Sequence, residues 1–154
     1  MLRRAGPSYL IKLSGTGEFY EYPDTKEFLG RYNPKTYSDV KDIGEILSRP
    51  PHALHRHTDA IVQEAGEAHA DKLKTAVVCP PDIYGRGHGP GRQLSYYISW
   101  FVQGIRKVGA PFYLNEGSNI RGWVHIDDFT RIYVSLVEAA AAGGGNVTWG
   151  KEVS

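Results

Sequence analysis

Apolar positions recur at helical spacing in four segments of this chain and gather into short runs elsewhere, and that contrast predicts its elements. Residues 8–13 are rich in strand formers, and Ser14, Gly15, Thr16 and Gly17 close them with turn residues, which predicts a buried strand running into a loop. Residues 18–36 hold Pro23, Asp24, Gly30, Asn33 and Pro34 with no sustained period and read as irregular. From Ser38 the pattern changes. Val40, Ile43, Ile46 and Leu47 fall at helical spacing, predicting an amphipathic helix that Pro50 and Pro51 stop. A second helix is predicted from Thr58, as N-cap, through Ile61, Val62 and Ala65 to Ala70. Thr75 to Cys79 is too short an apolar run for a helix and reads as a buried parallel strand. Strand, helices and strand make a crossover unit, so 8–13 and 75–79 are expected to be adjacent and parallel.

Downstream, glycine occupies alternate positions from Gly85 to Gly91, which predicts a loop. Leu94, Ile98, Phe101, Ile105 and Val108 then recur at spacings of four and three, a third amphipathic helix. Phe112 to Leu114 reads as a short strand. Residues 120–126 read as extended up to Asp127 and Asp128, which would cap a fourth helix burying Phe129, Ile132, Tyr133, Leu136 and Val137. Gly143 ends that helix, and Asn146 to Trp149 reads as strand-like. The fold class is α/β with a mostly parallel sheet.

Composition narrows the functional classes. At 154 residues the chain is the size of one domain, and 41% hydrophobic with 23% charged residues describes a soluble globular protein. A formal charge of +1 leaves no surplus for tracking phosphates, which argues against nucleic acid as a partner. No apolar run approaches a membrane span, so no membrane partner is expected. Cys79 is the single cysteine and fits a reducing compartment. Met1, Leu2, Arg3 and Arg4 are followed by Ala5, Gly6, Pro7 and Ser8 instead of the apolar run of a signal peptide, so the expected location is cytoplasmic.

The candidate chemistry starts with Tyr37 and Lys41, four residues apart at the predicted helix start, where such a pair shares a face. A cation beside a phenol stabilises the phenolate, which suits proton exchange with a substrate hydroxyl. Tyr22 and Lys26 have the same spacing across Pro23, so spacing alone does not single out a pair. His52, His55 and His57 have Asp59 as their nearby carboxylate, whereas zinc needs three or four convergent ligands, so a solvated loop is expected and no metal. His125 is expected to pack under the helix start at Asp127. Tyr96, Tyr97, Trp100 and Phe101 fit a core helix better than a base-stacking surface.

Taken in order, the Ser14 loop, the Tyr37 and Lys41 pair, the run from Val77 through Pro80, Pro81, Asp82 and Ile83 to Gly85, and Arg121 through Asp128 resemble the second half of the extended short-chain dehydrogenase/reductase fold. Within that class the chain is most similar to the NAD-dependent epimerase/dehydratase family. The resemblance implies a partial Rossmann, doubly wound fold: residues 1–90 as the second half of a Rossmann-like domain, 91–126 as the start of a small substrate-binding subdomain, and 127–154 as a return helix and final strand. It implies Tyr37 as general base or acid and Lys41 as the cation that lowers its pKa and holds the nicotinamide ribose. Ser14, with Thr16 as its rival, would hold the substrate hydroxyl or carbonyl. Pro80, Pro81 and Ile83 would border the nicotinamide of NAD or NADP. Arg121 would contact the diphosphate of a nucleotide-sugar substrate.

The family seats its dinucleotide on a glycine-rich turn about a hundred residues before the serine loop, whereas 13 residues precede Ser14 here. The Gly85 and Gly87 loop is a poor substitute, since it holds Pro90 and two arginines. The chain alone is therefore expected to be inactive and not to bind NAD(H). The competing expectation is a noncatalytic interaction or oligomerisation module. In either case the unpaired edge of the 8–13 strand favours self-association, with a homodimer as its simplest form.

Overall fold

The computed structural model describes residues 6–19 and 29–150. Aliphatic and β-branched side chains form strands β1 (Ser8–Leu13) and β2 (Leu73–Val78), which pair in parallel with Ser8 opposite Leu73 and Leu13 opposite Val78. Parallel neighbours need a long crossover. Here it carries a 3-10 turn (Thr16–Phe19), a short helix α1 (Ile43–Leu47) and the longer α2 (Arg56–Ala68). A second parallel pair joins β3 (Asp82–Tyr84) to β4 (Trp123–His125), with α3 (Tyr96–Val108) between them and α4 (Ile126–Ala141) following at once. The chain is thus α/β, with the parallel strands and helical crossovers of a partial Rossmann-like fold.

The pairing of the first and second strands is as expected, whereas several boundaries differ. The helix expected from Ser38 begins at Ile43. The Ser38 hydroxyl accepts the N–H groups of Val40 and Lys41, and the Asp42 carboxylate accepts the Ser38 N–H at 2.7 Å. These local bonds offer the backbone an alternative to helix, so 39–41 form a turn. Thr58 is not the N-cap of α2. That position belongs to His55, in a left-handed conformation with φ 73°, and the Thr58 hydroxyl instead donates to the His55 carbonyl at 2.9 Å.

Residues 112–114 form no strand, and the Phe112 ring packs on Phe101 at 5.2 Å. In α4 the cap is His125, whose Nδ1 accepts the Asp127 N–H at 3.3 Å, while Asp127 and Asp128 occupy the first turn, where the helix dipole favours carboxylates. Residues 146–149 are not a strand either. Trp149 donates to the Gly144 carbonyl and sets its ring 4.8 Å from Tyr9, and the Gly150 N–H reaches the Thr75 carbonyl of β2. Tyr22 and Lys26 lie outside the described residues. Among those described, no helix is long and apolar enough to cross a membrane.

Phe129 is buried at the start of α4 with the Tyr133 ring 5.2 Å away. The Tyr133 hydroxyl is buried without a hydrogen-bond partner among the described residues, and burial, followed by Cys79, raises its pKa above the ordinary 10.0. Tyr133→Phe removes that unmet polar group, so a gain of about 1 kcal/mol in urea unfolding is expected. The sign in pH follows from the raised folded value: the unfolded phenol ionises first, so wild-type stability falls as the pH rises past about 10, and the variant lacks this fall.

Candidate functional site

Two strand ends meet in one place. The Ser14 N–H donates to the Val78 carbonyl at 2.8 Å and the Thr16 N–H to the Pro80 carbonyl at 3.0 Å, so the loops leaving β1 and β2 run side by side. They open on a cavity of about 650 Å³ at the carboxyl ends of the parallel strands, where open α/β sheets bind ligands. Ser14, Thr16 and His55 line it together with Pro80, Pro81 and Ile83.

The glycines of the Ser14 loop set its depth. A Cβ at Gly17 would stand 2.7 Å from Leu54 Cδ2, and one at Gly15 would stand 3.4 Å from His55 Nε2. Absence of side chains there lets the start of α2 close against the loop. Lys12 and Ser14 are two residues apart at the end of β1 and project to the same side. There they meet Asp59 of α2, which is 1% exposed. The Ser14 hydroxyl donates to Asp59 Oδ2 at 2.5 Å, and the Lys12 ammonium forms an ion pair with Oδ1. Asp59 thus engages the Ser14 proton and leaves the hydroxyl's lone pairs free to accept a hydrogen bond.

The structure brings Ser14, Thr16, Pro80, Pro81 and Ile83 into one cavity lining, and Tyr37 and Lys41 are not part of it. Because the helix start they were expected to share is a turn, the cations beside the Tyr37 phenol are different ones. Its hydroxyl accepts from Arg49 at 3.2 Å, the Lys35 ammonium lies 4.9 Å from its ring centroid, and Phe19 packs at 4.9 Å. A hydrogen bond to Glu45, then one to Tyr37, raises the Lys35 pKa above 10.5. Lys41 is exposed. Arg121 stands behind the cavity wall, its Nε donating to Asp82 Oδ2 at 2.6 Å and its guanidinium 4.3 Å from the Tyr97 ring centroid. Asp82 and Tyr97 themselves line the cavity.

Two residues of this region, His55 and Asp59, carried no functional expectation, and His55 was expected in a solvated loop, whereas it caps α2 and lines the cavity. Their sequence signal was weak: His55 lies between two other histidines, and Asp59 lies 45 residues from Ser14 and 47 from Lys12. His52 and His57 are exposed, and among the described residues no group of three or more metal-ligating side chains converges. In the glycine-rich loop the Gly87 N–H is taken by the Gln93 carbonyl at 2.8 Å.

The model of the NAD dependent epimerase/dehydratase family matches residues 4–149. A curated relative named oxidase ucsJ, from Acremonium sp., is 28% identical over 138 residues. That alignment covers 90% of this chain and 40% of the relative, so the chain spans well under half the length of that protein. No solved structure matches.

Proposed function

The chain belongs to the NAD-dependent epimerase/dehydratase family, and from that premise we propose that it supplies the catalytic side of an NAD(P)-dependent oxidoreductase acting on a hydroxyl or carbonyl group of a small molecule. The observation that carries this reading is the single cavity shared by the β1 and β2 loop ends, with hydroxyls on one wall and prolines on the other. Its lining suits the nicotinamide end of the cofactor. Pro80, Pro81 and Ile83 offer an apolar face for the ring, and Ser14 and Thr16 offer hydroxyls at the reacting group. When bound, the nicotinamide supplies two-electron exchange. The protein's own part is to orient and to exclude water: Ser14, held by Asp59, accepts the hydrogen bond of a substrate hydroxyl, and Thr16 assists from the same loop. Arg121 pairs with Asp82 behind the cavity wall, and an anionic substrate would reach it by displacing that carboxylate with a phosphate oxygen, which a guanidinium binds in the same geometry.

The test uses the protein at its full natural length. Titration with NADH and with NADPH is expected to give a saturable rise in nicotinamide fluorescence at micromolar levels for one of the two. Ser14→Ala is expected to leave that affinity within about twofold while turnover falls by about a hundredfold. Absence of saturation with both cofactors overturns the reading. The noncatalytic alternative draws on α3, where Trp100 is 65% exposed and Ile98 and Phe101 are exposed as well. It expects no response to either cofactor.

A further inference from the structure

We propose that His55 is the proton-exchanging side chain of this cavity; the inference rests on the oxidoreductase reading and adds to it the residue that handles the proton. Three observations converge on it. His55 lines the cavity, and its Nε2 would stand 3.4 Å from a Cβ built on Gly15, the residue after Ser14, so the ring edge lies against the Ser14 loop. Its imidazole makes no capping bond although it occupies the N-cap of α2, and no described residue engages the ring by a hydrogen bond. Its backbone lies at φ 73°, a conformation that histidine adopts at a cost and that glycine or asparagine adopts more readily. A strained residue with an unengaged imidazole beside a hydroxyl pair is the pattern of a position kept for its chemistry rather than for the fold.

The chemistry follows from the side chain. Imidazole is the group whose two protonation states lie closest in energy near neutral pH. On alcohol oxidation the substrate O–H bond breaks, the proton forms an N–H bond at Nε2, and the ring then returns it to water. The hydride leaves with its electron pair to the oxidised nicotinamide, which is the acceptor. Carbonyl reduction runs the same proton path backwards. Asp59 stands four residues further along α2 and holds Ser14, so one helix fixes both the proton carrier and the group that orients the substrate oxygen.

The structure separates this role from a structural one, because asparagine suits the left-handed backbone and its amide neither takes up nor releases a proton near neutral pH. His55→Asn in the full-length protein is therefore expected to raise Tm and to keep the affinity for the preferred cofactor within about twofold. Reduction of phenanthrenequinone, used as a general carbonyl probe, is expected to fall by at least about a hundredfold. His57→Asn, on the exposed side of the same helix, is the control. The second arm needs no turnover. Carbethoxylation by diethyl pyrocarbonate, mapped by mass spectrometry, is expected to slow by at least about tenfold at His55 when the cavity is saturated with cofactor, and to proceed unchanged at His57. Cofactor binding that leaves His55 fully reactive overturns the inference while sparing the oxidoreductase reading. So does a His55→Asn protein with the wild-type rate, above all if Tyr37→Phe loses that rate instead. Absence of saturable cofactor binding overturns the oxidoreductase reading itself.

Discussion

Lys12→Met is expected to destabilise the protein by about 3 kcal/mol or more, a large share of the 5–15 kcal/mol that typically separates a folded domain from its unfolded chain. The reason is the environment of Asp59. That carboxylate is 1% exposed and its described partners are the Lys12 ammonium, itself 19% exposed, and the Ser14 hydroxyl. Methionine reproduces the length and apolar stem of lysine but leaves the buried charge answered by one hydroxyl. Removing one partner of a buried pair costs far more than the pair contributes, because the remaining ion keeps its desolvation penalty and loses its compensation. Two companions locate the effect. Lys12→Met combined with Asp59→Leu should recover most of the loss, since no buried charge remains. Ser14→Ala should cost about 1.5–3 kcal/mol, the range of one hydrogen bond to a charged acceptor. Urea midpoints at constant slope measure all three, and a coupling near zero between positions 12 and 59 would refute the account.

How much of this was legible beforehand depends on how far apart the interacting residues lie. The β1 and β2 strands are local features, a run of strand formers ended by turn residues, and their parallel pairing follows from the helices between them. Ser14, Thr16, Pro80, Pro81 and Ile83 came from the family resemblance instead, and the structure brings all five into one cavity lining. The Tyr37 and Lys41 pair was a local inference that local chemistry defeated, because Ser38 and Asp42 engage the backbone that the helix would have used. The short strand at 112–114 failed because Phe112 found a partner in α3 and its backbone found no ladder. The α4 cap moved by two residues because a histidine ring nitrogen accepts an N–H as a carboxylate does. His55 and Asp59 were illegible for the opposite reason. What distinguishes them is a left-handed backbone and partners more than forty residues away, and neither leaves a periodic mark on the sequence.

Gly66→Ala is the substitution for which sequence and structure give opposite signs. Gly66 lies inside α2, where alanine is the better helix former by about 1 kcal/mol, so propensity alone expects stabilisation. The packing reverses this. Gly66 is buried where α2 crosses β2, and a Cβ there would stand 2.5 Å from Thr75 Oγ1, 2.9 Å from Cγ2 and 3.3 Å from Cβ. Thr75 is 4% exposed, and a rotation that removes one branch from the contact brings another towards it. Its backbone cannot retreat, since it pairs with Leu10 of β1 on one side and accepts the Gly150 N–H on the other. Relief therefore requires α2 to lift from the sheet, and α2 carries Asp59 and, at its cap, His55. A net loss of about 2–3 kcal/mol is expected once overpacking is set against propensity. Thr75→Ala makes room for the new methyl, so the double variant should be more stable than the sum of the two single changes by more than about 1 kcal/mol. The same displacement should loosen the Ser14 to Asp59 hydrogen bond, so Gly66→Ala should also lower turnover although residue 66 does not line the cavity. An alanine variant as stable as the wild type would mean that the close contact of α2 on β2 is not what holds the cavity wall in place.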